Sequence, residues 1–301
     1  MQNIPPPIEI VQVSKRYRGQ STFALENISI QITENEKVGL IGANGSGKTT
    51  LFRLLLNLIR CTSGYIRIRG DSDLENSKKY IGYVSEYQEG LENFTPEEIL
   101  EFSGKMSGMC KTKLSERKSE LYKWTGLETH HSDLISSFSK GMRQRLFLAS
   151  ALIHEPRILL LDEPMSGLDP KSQKDFRSLL SGLDNYTIIY ASHLLSELED
   201  ICSRIIFFHQ GKLVKDIKLD DFQGEIFTLD TDPGVQELIL KFPHIELRNK
   251  VNFKNKMRLE IAAKPHHFQA FLAYCQTNKI LIERLKSKSI LEDLYSRYVD
   301  S

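Results

Sequence analysis

The stretch "KVGLIGANGSGKTTLFRLLL" (Lys37 to Leu56) decides the fold. It passes from an apolar run through a glycine-rich loop into a segment where Leu51, Leu54, Leu55 and then Leu58 recur at helical spacing. The loop fits G-x-x-x-x-G-K-[ST], with Gly42, Gly47, Lys48 and Thr49 at the required positions. Glycines at 45 and 47 let backbone N–H groups turn inward around phosphate oxygens. Lys48 can reach the β and γ phosphates, and the Thr49 hydroxyl can ligate Mg²⁺. A plain glycine-rich turn with a helix cap is the bland alternative. Chance matches to the full pattern are rare at ordinary residue frequencies, and rarer still between a strand and a helix.

Two further continuous apolar runs, "RILLLDEP" (157 to 164) and "TIIYASH" (187 to 193), read with "KVGLIG" as buried parallel strands. By contrast, "IEIVQVSKRY" and "ALENISIQI" alternate apolar and polar residues, as half-exposed antiparallel strands do. The expected fold is an α/β P-loop core with a β-rich edge sheet. Asp162 and Glu163 end a buried strand, where ligands gather in an open α/β sheet. Asp162 can hold Mg²⁺ through water, and Glu163 can accept a proton from water attacking a γ phosphate. His193, after the next apolar strand, is open to two readings. It is either a structural histidine or a hydrogen-bond donor to charge developing on that phosphate.

Between about 90 and 136 charged helical segments replace the strands. Thr95 is the expected N-cap of one of them, with Pro96 at its first position and Glu98 completing a capping box. Further on, Leu146, Ala149, Leu152 and Ile153 recur at helical spacing. After Phe222 the order is strand "EIFTLD", helix "PGVQELILKF", strands "IELRNKV" and "MRLEIAA", helix "HHFQAFLAYCQ" and strand "ILIERLK", with "ILEDLYSRYV" at the end. This βαββαβ order is that of a small ferredoxin-like α/β domain with one added helix. The expected domains are therefore 1–221, with a helical subdomain at about 90–136, and 222–301.

Composition narrows the partners. The 301 residues hold 40 Lys and Arg against 39 Asp and Glu, a formal charge of +1, so no global field recruits nucleic acid or an anionic membrane. The four cysteines are scattered without a CxxC, which argues for a reducing compartment and no structural zinc. The opening "MQNIPPPIEI" lacks a basic start and an apolar run, and no apolar run approaches the roughly 18 residues of a membrane span. A cytoplasmic location is expected.

From about Ile8 to Leu219 these motifs, in this order and spacing, resemble the nucleotide-binding subunit of an ATP-binding-cassette (ABC) transporter. That resemblance implies ATP and Mg²⁺ as ligands. It assigns the loop residues Gly42, Asn44, Gly45, Ser46, Gly47, Lys48, Thr49 and Thr50 to the nucleotide, and Tyr17 to stacking on adenine. It implies catalytic roles for Glu163, His193 and Lys48, and metal contacts for Thr49, Asp162 and Glu86. In the family the helix start at Ser139, Lys140 and Gly141, within "SFSKGMRQR" (137 to 145), faces the ATP held by a second subunit. Asp169 of "SGLD" (166 to 169) communicates across that dimer, and Asn44 lies near the contact. The segment from 90 to 136 falls where the family docks on membrane helices.

Two departures stand out. Lys140 and Met142 replace a Gly and a Gln of the usual "LSGGQ". Where the family has a Gln near Mg²⁺, "IGYVSEYQEGLENFT" puts Glu86, with Gln88 two residues out of register. Both resemble the branch serving exporters of the ABC-2 type, as does the C-terminal extension. The implied function is an ATPase subunit on the cytoplasmic face of the membrane, paired with a second subunit, a copy of itself in preference to a different chain. It would drive a separate membrane-spanning permease, with no direct nucleic-acid contact. A non-transport ABC protein regulating a cytosolic assembly is the alternative, and a nucleotide-gated assembly module with weak hydrolysis is a third reading.

Overall fold

The protein is described from a computed structural model covering residues 5–86, 90–222, 224–232, 235–239, 241–253 and 256–298. The first four strands are β1 (Ile8–Lys15), β2 (Leu25–Ile32), β3 (Lys37–Ile41) and β4 (Ser63–Ile68). Their burial separates them. The alternating strands β1 and β2 pair antiparallel and, with β4 on the other side of β1, form a three-stranded sheet in the order β2-β1-β4. The continuous apolar strand β3 instead enters a second sheet with β5 (Ile81–Val84), β6 (Ile158–Asp162), β7 (Thr187–Ser192), β8 (Arg204–His209) and β9 (Lys212–Lys218).

That sheet has the order β5-β6-β7-β3-β8-β9, and its pairs from β5 to β8 are parallel. Every residue of β6 and β7 is buried, as their apolar runs require. The turn into β9 places Gln210 and Gly211 at φ 47° and 79°, the double positive φ of a two-residue hairpin.

The helix Lys48–Leu55 follows β3 and buries Leu51, Phe52, Leu54 and Leu55 in one apolar cluster with residues of both sheets. Each such side chain contributes about 1.5–3 kcal/mol on burial. Leu58, expected on the same face, is instead 63% exposed. The helix ends at Leu55, and Asn57 takes a left-handed φ of 53°, which turns the chain outward before the periodicity can continue.

The segment from 90 to 136 forms the helices Pro96–Met106 and Lys111–Thr125. Thr95 and Glu98 make both bonds of the capping box. These helices pack on a third, Lys140–Leu152, whose N-cap is Ser139. That third helix also lies close against β5. A Cβ added to Gly82 would fall 2.3 Å from the Ala151 carbonyl oxygen, so the approach of strand and helix requires glycine.

The contacts divide the chain into Met1–Ile217 and Lys218–Ser301, at the last residue of β9 and slightly ahead of the boundary expected at 221/222. In the second unit β10 (Glu225–Thr231), β11 (Ile245–Phe253), β12 (Lys256–Ala263) and β13 (Ile282–Ser289) form an antiparallel sheet in the order β11-β12-β10-β13. With the helices Val235–Ile239 and Pro265–Thr277 this is the split βαββαβ arrangement, and Ile290–Tyr298 is the added helix. The unit has its own core, in which Phe227 stacks on Phe268 at 3.5 Å. Among the described residues no helix is long and apolar enough to cross a membrane.

Replacing Gly82 by Ala should destabilise the first unit by about 1–3 kcal/mol, since a backbone carbonyl offers no flexible end to move aside. Urea unfolding would show a lower midpoint at unchanged slope. An unchanged midpoint would mean that the helix Lys140–Leu152 can withdraw from β5 freely.

Candidate functional site

The glycine-rich loop joins β3 to the helix Lys48–Leu55, and space as much as conformation selects its glycines. Gly47 has φ 113°, and a Cβ there would lie 2.7 Å from Leu25 Cδ2 and 2.8 Å from the Ala24 carbonyl. A Cβ at Gly42 would meet the Phe208 carbonyl at 2.4 Å. The helix starts at Lys48 with no side-chain cap, so its first N–H groups and the positive end of its dipole remain available to an anion. The buried Ser46 Oγ has no hydrogen-bond partner. These features suit polyphosphate oxygens.

Asn44, Gly45, Ser46, Gly47, Lys48, Thr49, Thr50, Glu86, Asp162 and Glu163 line one cavity of about 130 Å³. Within it the Lys48 ammonium donates to the Gly42 carbonyl at 2.5 Å and stands 3.6 Å from Glu163 Oε1. Burial pushes the lysine's pKa down, while the carboxylates of Glu163, Asp162 and Glu86 oppose that shift. Asp162 is pushed up to about 6, first by burial and further by the neighbouring Glu163 and Glu86, against a hydrogen bond from Thr49.

Three carboxylates thus face one lysine. The donors are all oxygen, and Asp162 Oδ1 is buried without a hydrogen-bond partner. Thr49, Asp162 and Glu86 therefore fit a hard divalent cation such as Mg²⁺. Gln88, the other candidate for this contact, lies outside the described residues.

Glu163 follows β6 in the left-handed region, at φ 48°, a conformation that costs a non-glycine residue about 1–3 kcal/mol. Its N–H donates to the Ala191 carbonyl on β7 at 2.9 Å. Its Oε2 lies 2.8 Å from His193 Nδ1, so the histidine after β7 does reach the carboxylate after β6. His193 itself does not line the cavity. Tyr17 reaches the same neighbourhood through its hydroxyl, 3.5 Å from Thr50 Oγ1, with Lys15 Nζ 5.2 Å from its ring centre.

The remaining candidates gather elsewhere. Ser139, Lys140, Gly141 and Asp169 are absent from the cavity lining. Ser139 Oγ accepts from Met142 N at 3.2 Å, and Asp169 caps the helix Pro170–Ser181 by accepting from Ser172 N and Ser172 Oγ. Gly141 lies against Ser172, since a Cβ there would be 2.5 Å from Ser172 Oγ. Sequence reasoning missed Tyr190, Ser192 and Glu197, whose side chains bond to one another directly behind His193. The available signal was two hydroxyls spaced by two on a strand, with an acid four residues past the histidine.

The comparisons with known proteins bear on the family and the fold. The family described as ABC transporter matches residues 25–166. The uncharacterised ABC transporter ATP-binding protein YxlF of Bacillus subtilis (strain 168) is 30% identical over 97% of this chain and 99% of its own. The bacitracin transport ATP-binding protein BcrA of Bacillus licheniformis is 36% identical over 71% of this chain and 70% of its own. A solved ATP-binding subunit of an ABC transporter, 28% identical, covers 71% of this chain and 90% of its own at a TM-score of 0.64. An ATP-binding cassette solved as a dimer in a post-hydrolysis state with ADP and Pi is 26% identical, covers 70% of this chain and 98% of its own, and has a TM-score of 0.63. The chain belongs to the ABC transporter ATP-binding proteins.

Removing the charge of Asp162 should weaken the cation contact more than removing that of Glu86, because Asp162 is the more buried. Asp162→Asn is expected to raise the Mg²⁺ concentration for half-maximal ATPase about tenfold, which corresponds to about 1.4 kcal/mol. Glu86→Gln should raise it less. Titrations of wild type and Glu86→Gln that superimpose would remove Glu86 from the site.

Proposed function

We propose that this ATP-binding subunit hydrolyses ATP, closes on it as a dimer, and drives a separate membrane-spanning permease of the ABC-2 exporter type from the cytoplasmic face. The observation that carries the reading is the Glu163–His193 pair beside the phosphate loop, with Glu163 on the cavity wall and its Oε2 2.8 Å from the imidazole. In the reaction, water oxygen bonds to the γ phosphorus and the bridging P–O bond to ADP breaks. Glu163 takes the water's proton, and the electron pair of the broken bond stays on the ADP oxygen. Lys48 offsets charge on the phosphate oxygens, and His193, donating from Nδ1 to Glu163 Oε2, holds the carboxylate in place. Mg²⁺, when bound, lowers the repulsion between the phosphates and an incoming nucleophile.

Dimerisation is supported by the separation of Ser139, Lys140 and Gly141 from the chain's own cavity lining. A second copy supplies the same helix start, so a homodimer suffices. The Bacillus licheniformis relative is a bacitracin transport protein, which supports a transport role and a membrane partner for this chain. Among the described residues, those lining the cavity all belong to Met1–Ile217, which supports an accessory role for the unit Lys218–Ser301. The near-neutral charge supports the absence of a nucleic-acid partner.

Glu163→Gln should keep ATP binding, lower turnover by about 10² to 10⁴, and leave a long-lived dimer in sedimentation. Near-normal turnover would remove Glu163 as the base. In a separate variant, Ser139→Arg should abolish the ATP-dependent dimer while nucleotide affinity of the monomer stays within about twofold. Loss of monomer binding would place the Ser139 helix start within its own chain's site.

A further inference from the structure

We propose that Glu197 is a positioning residue for hydrolysis: its buried carboxylate fixes the two residues flanking His193, and through them the imidazole that meets Glu163. The proposal rests on the Glu163–His193 reading above. Tyr190 and Ser192 are two apart on β7, so their side chains share one face of the sheet. Both hydroxyls donate to the same oxygen, Glu197 Oε2, at 3.1 and 2.8 Å. Ser192 Oγ in turn accepts from Leu194 N at 3.0 Å, and Glu197 N donates back to the Leu194 carbonyl at 3.3 Å. The residue before His193 and the residue after it are thus tied to one carboxylate. The contact with Glu163 then engages the ring of His193 itself.

The acid matters beyond filling space. Glu197 is 4% exposed, and its Oε2 accepts from both hydroxyls. Burial pushes its pKa up, against the hydrogen bonds from Ser192 and Tyr190. An amide could satisfy both hydroxyls at lower desolvation cost. A carboxylate, however, only accepts, which forces Ser192 to donate toward it and leaves the hydroxyl's lone pairs to Leu194 N. The direction of the whole chain, from Leu194 N through Ser192 Oγ to Glu197, is then fixed. Tyr190 donates to the same carboxylate from within β7, while Ser192 also accepts from the histidine loop, so the pair separates support of the fold from support of the loop.

The test uses the full chain, ATPase kinetics, nucleotide binding and thermal unfolding. Ser192→Ala cuts the loop from the carboxylate and should lower kcat about tenfold to a hundredfold, with KM and Kd for ATP within about twofold, as expected of a displaced group. Tyr190→Phe should lower thermal stability and leave kcat within about twofold. Glu197→Gln should lower kcat less than Ser192→Ala, since it keeps one acceptor. In a His193→Ala background, itself slowed at least as much, adding Ser192→Ala should cost nothing further.

Ser192→Ala with wild-type kcat, or with a full additional loss in the His193→Ala background, would overturn the positioning role and leave the Glu163–His193 reading intact. Tyr190→Phe slowing turnover as much as Ser192→Ala would also overturn it, as general support of the core. Wild-type turnover in His193→Ala alone would instead overturn the Glu163–His193 reading, and this proposal with it.

Discussion

The hydrogen bond from Glu163 N to the Ala191 carbonyl, 2.9 Å long, is the point at which sheet and site become one structure. It extends the parallel β6–β7 ladder, in which Asp162 is opposite Ala191, by one residue beyond the end of β6. Glu163 pays for that position with a left-handed backbone, and the surrounding ladder holds it there. The consequence is geometric. Asp162 stays within the strand and faces Thr49, while Glu163 turns toward Lys48 on one oxygen and His193 on the other. A one-residue slip between β6 and β7 would reverse every side chain and separate all three contacts.

The same junction concentrates charge in a buried place. Lys48 is 5% exposed, and Asp162 and Glu163 are 3% and 7% exposed. A lone lysine at that depth would tend to lose its proton, and the facing carboxylates are what restrain it. Burial first, and then the neighbouring Glu163 and Glu86, raise the proton affinity of Asp162, and one lysine does not offset them. The cavity is therefore electrostatically incomplete without a cation and, given the bare helix start and the unpartnered Ser46 Oγ, without an anion. A magnesium complex of a polyphosphate supplies both charges together, which is why the two halves of the lining suit one ligand.

Much of this was legible in the sequence, for reasons that differ by element. The Thr95–Glu98 box was readable because both of its bonds are local and set by residue type. The buried strands were readable because neither of their faces meets water. Leu58 misled because helical periodicity carries no signal for its own end, and a single left-handed Asn57 decided it. The strain at Glu163 was invisible for a related reason, since a carboxylate at φ 48° leaves no mark in residue type. The Tyr190–Ser192–Glu197 chain was missed because its parts read separately as strand and helix, and only their closure across the histidine turn makes them one device.

The helix starts outside the cavity are locked to each other by missing side chains. Gly141 admits Ser172, the residue that Asp169 caps, and Gly167 leaves room for Lys140, because a Cβ there would lie 2.6 Å from Nζ. Each helix start thus occupies space vacated by a glycine on the other, and the capped Asp169 carboxylate is fixed by the same contact that seats the Ser139 helix. Lys140 adds a cation to a helix start that already carries positive dipole charge and has no acid in its first turn. That arrangement costs the isolated helix stability, and the exposed Lys140 side chain carries its charge away from the helix start, past Gly167. The two helix starts share no strand and no hydrogen-bond ladder, and the close approach of Ser172 to Gly141 is what packs one against the other.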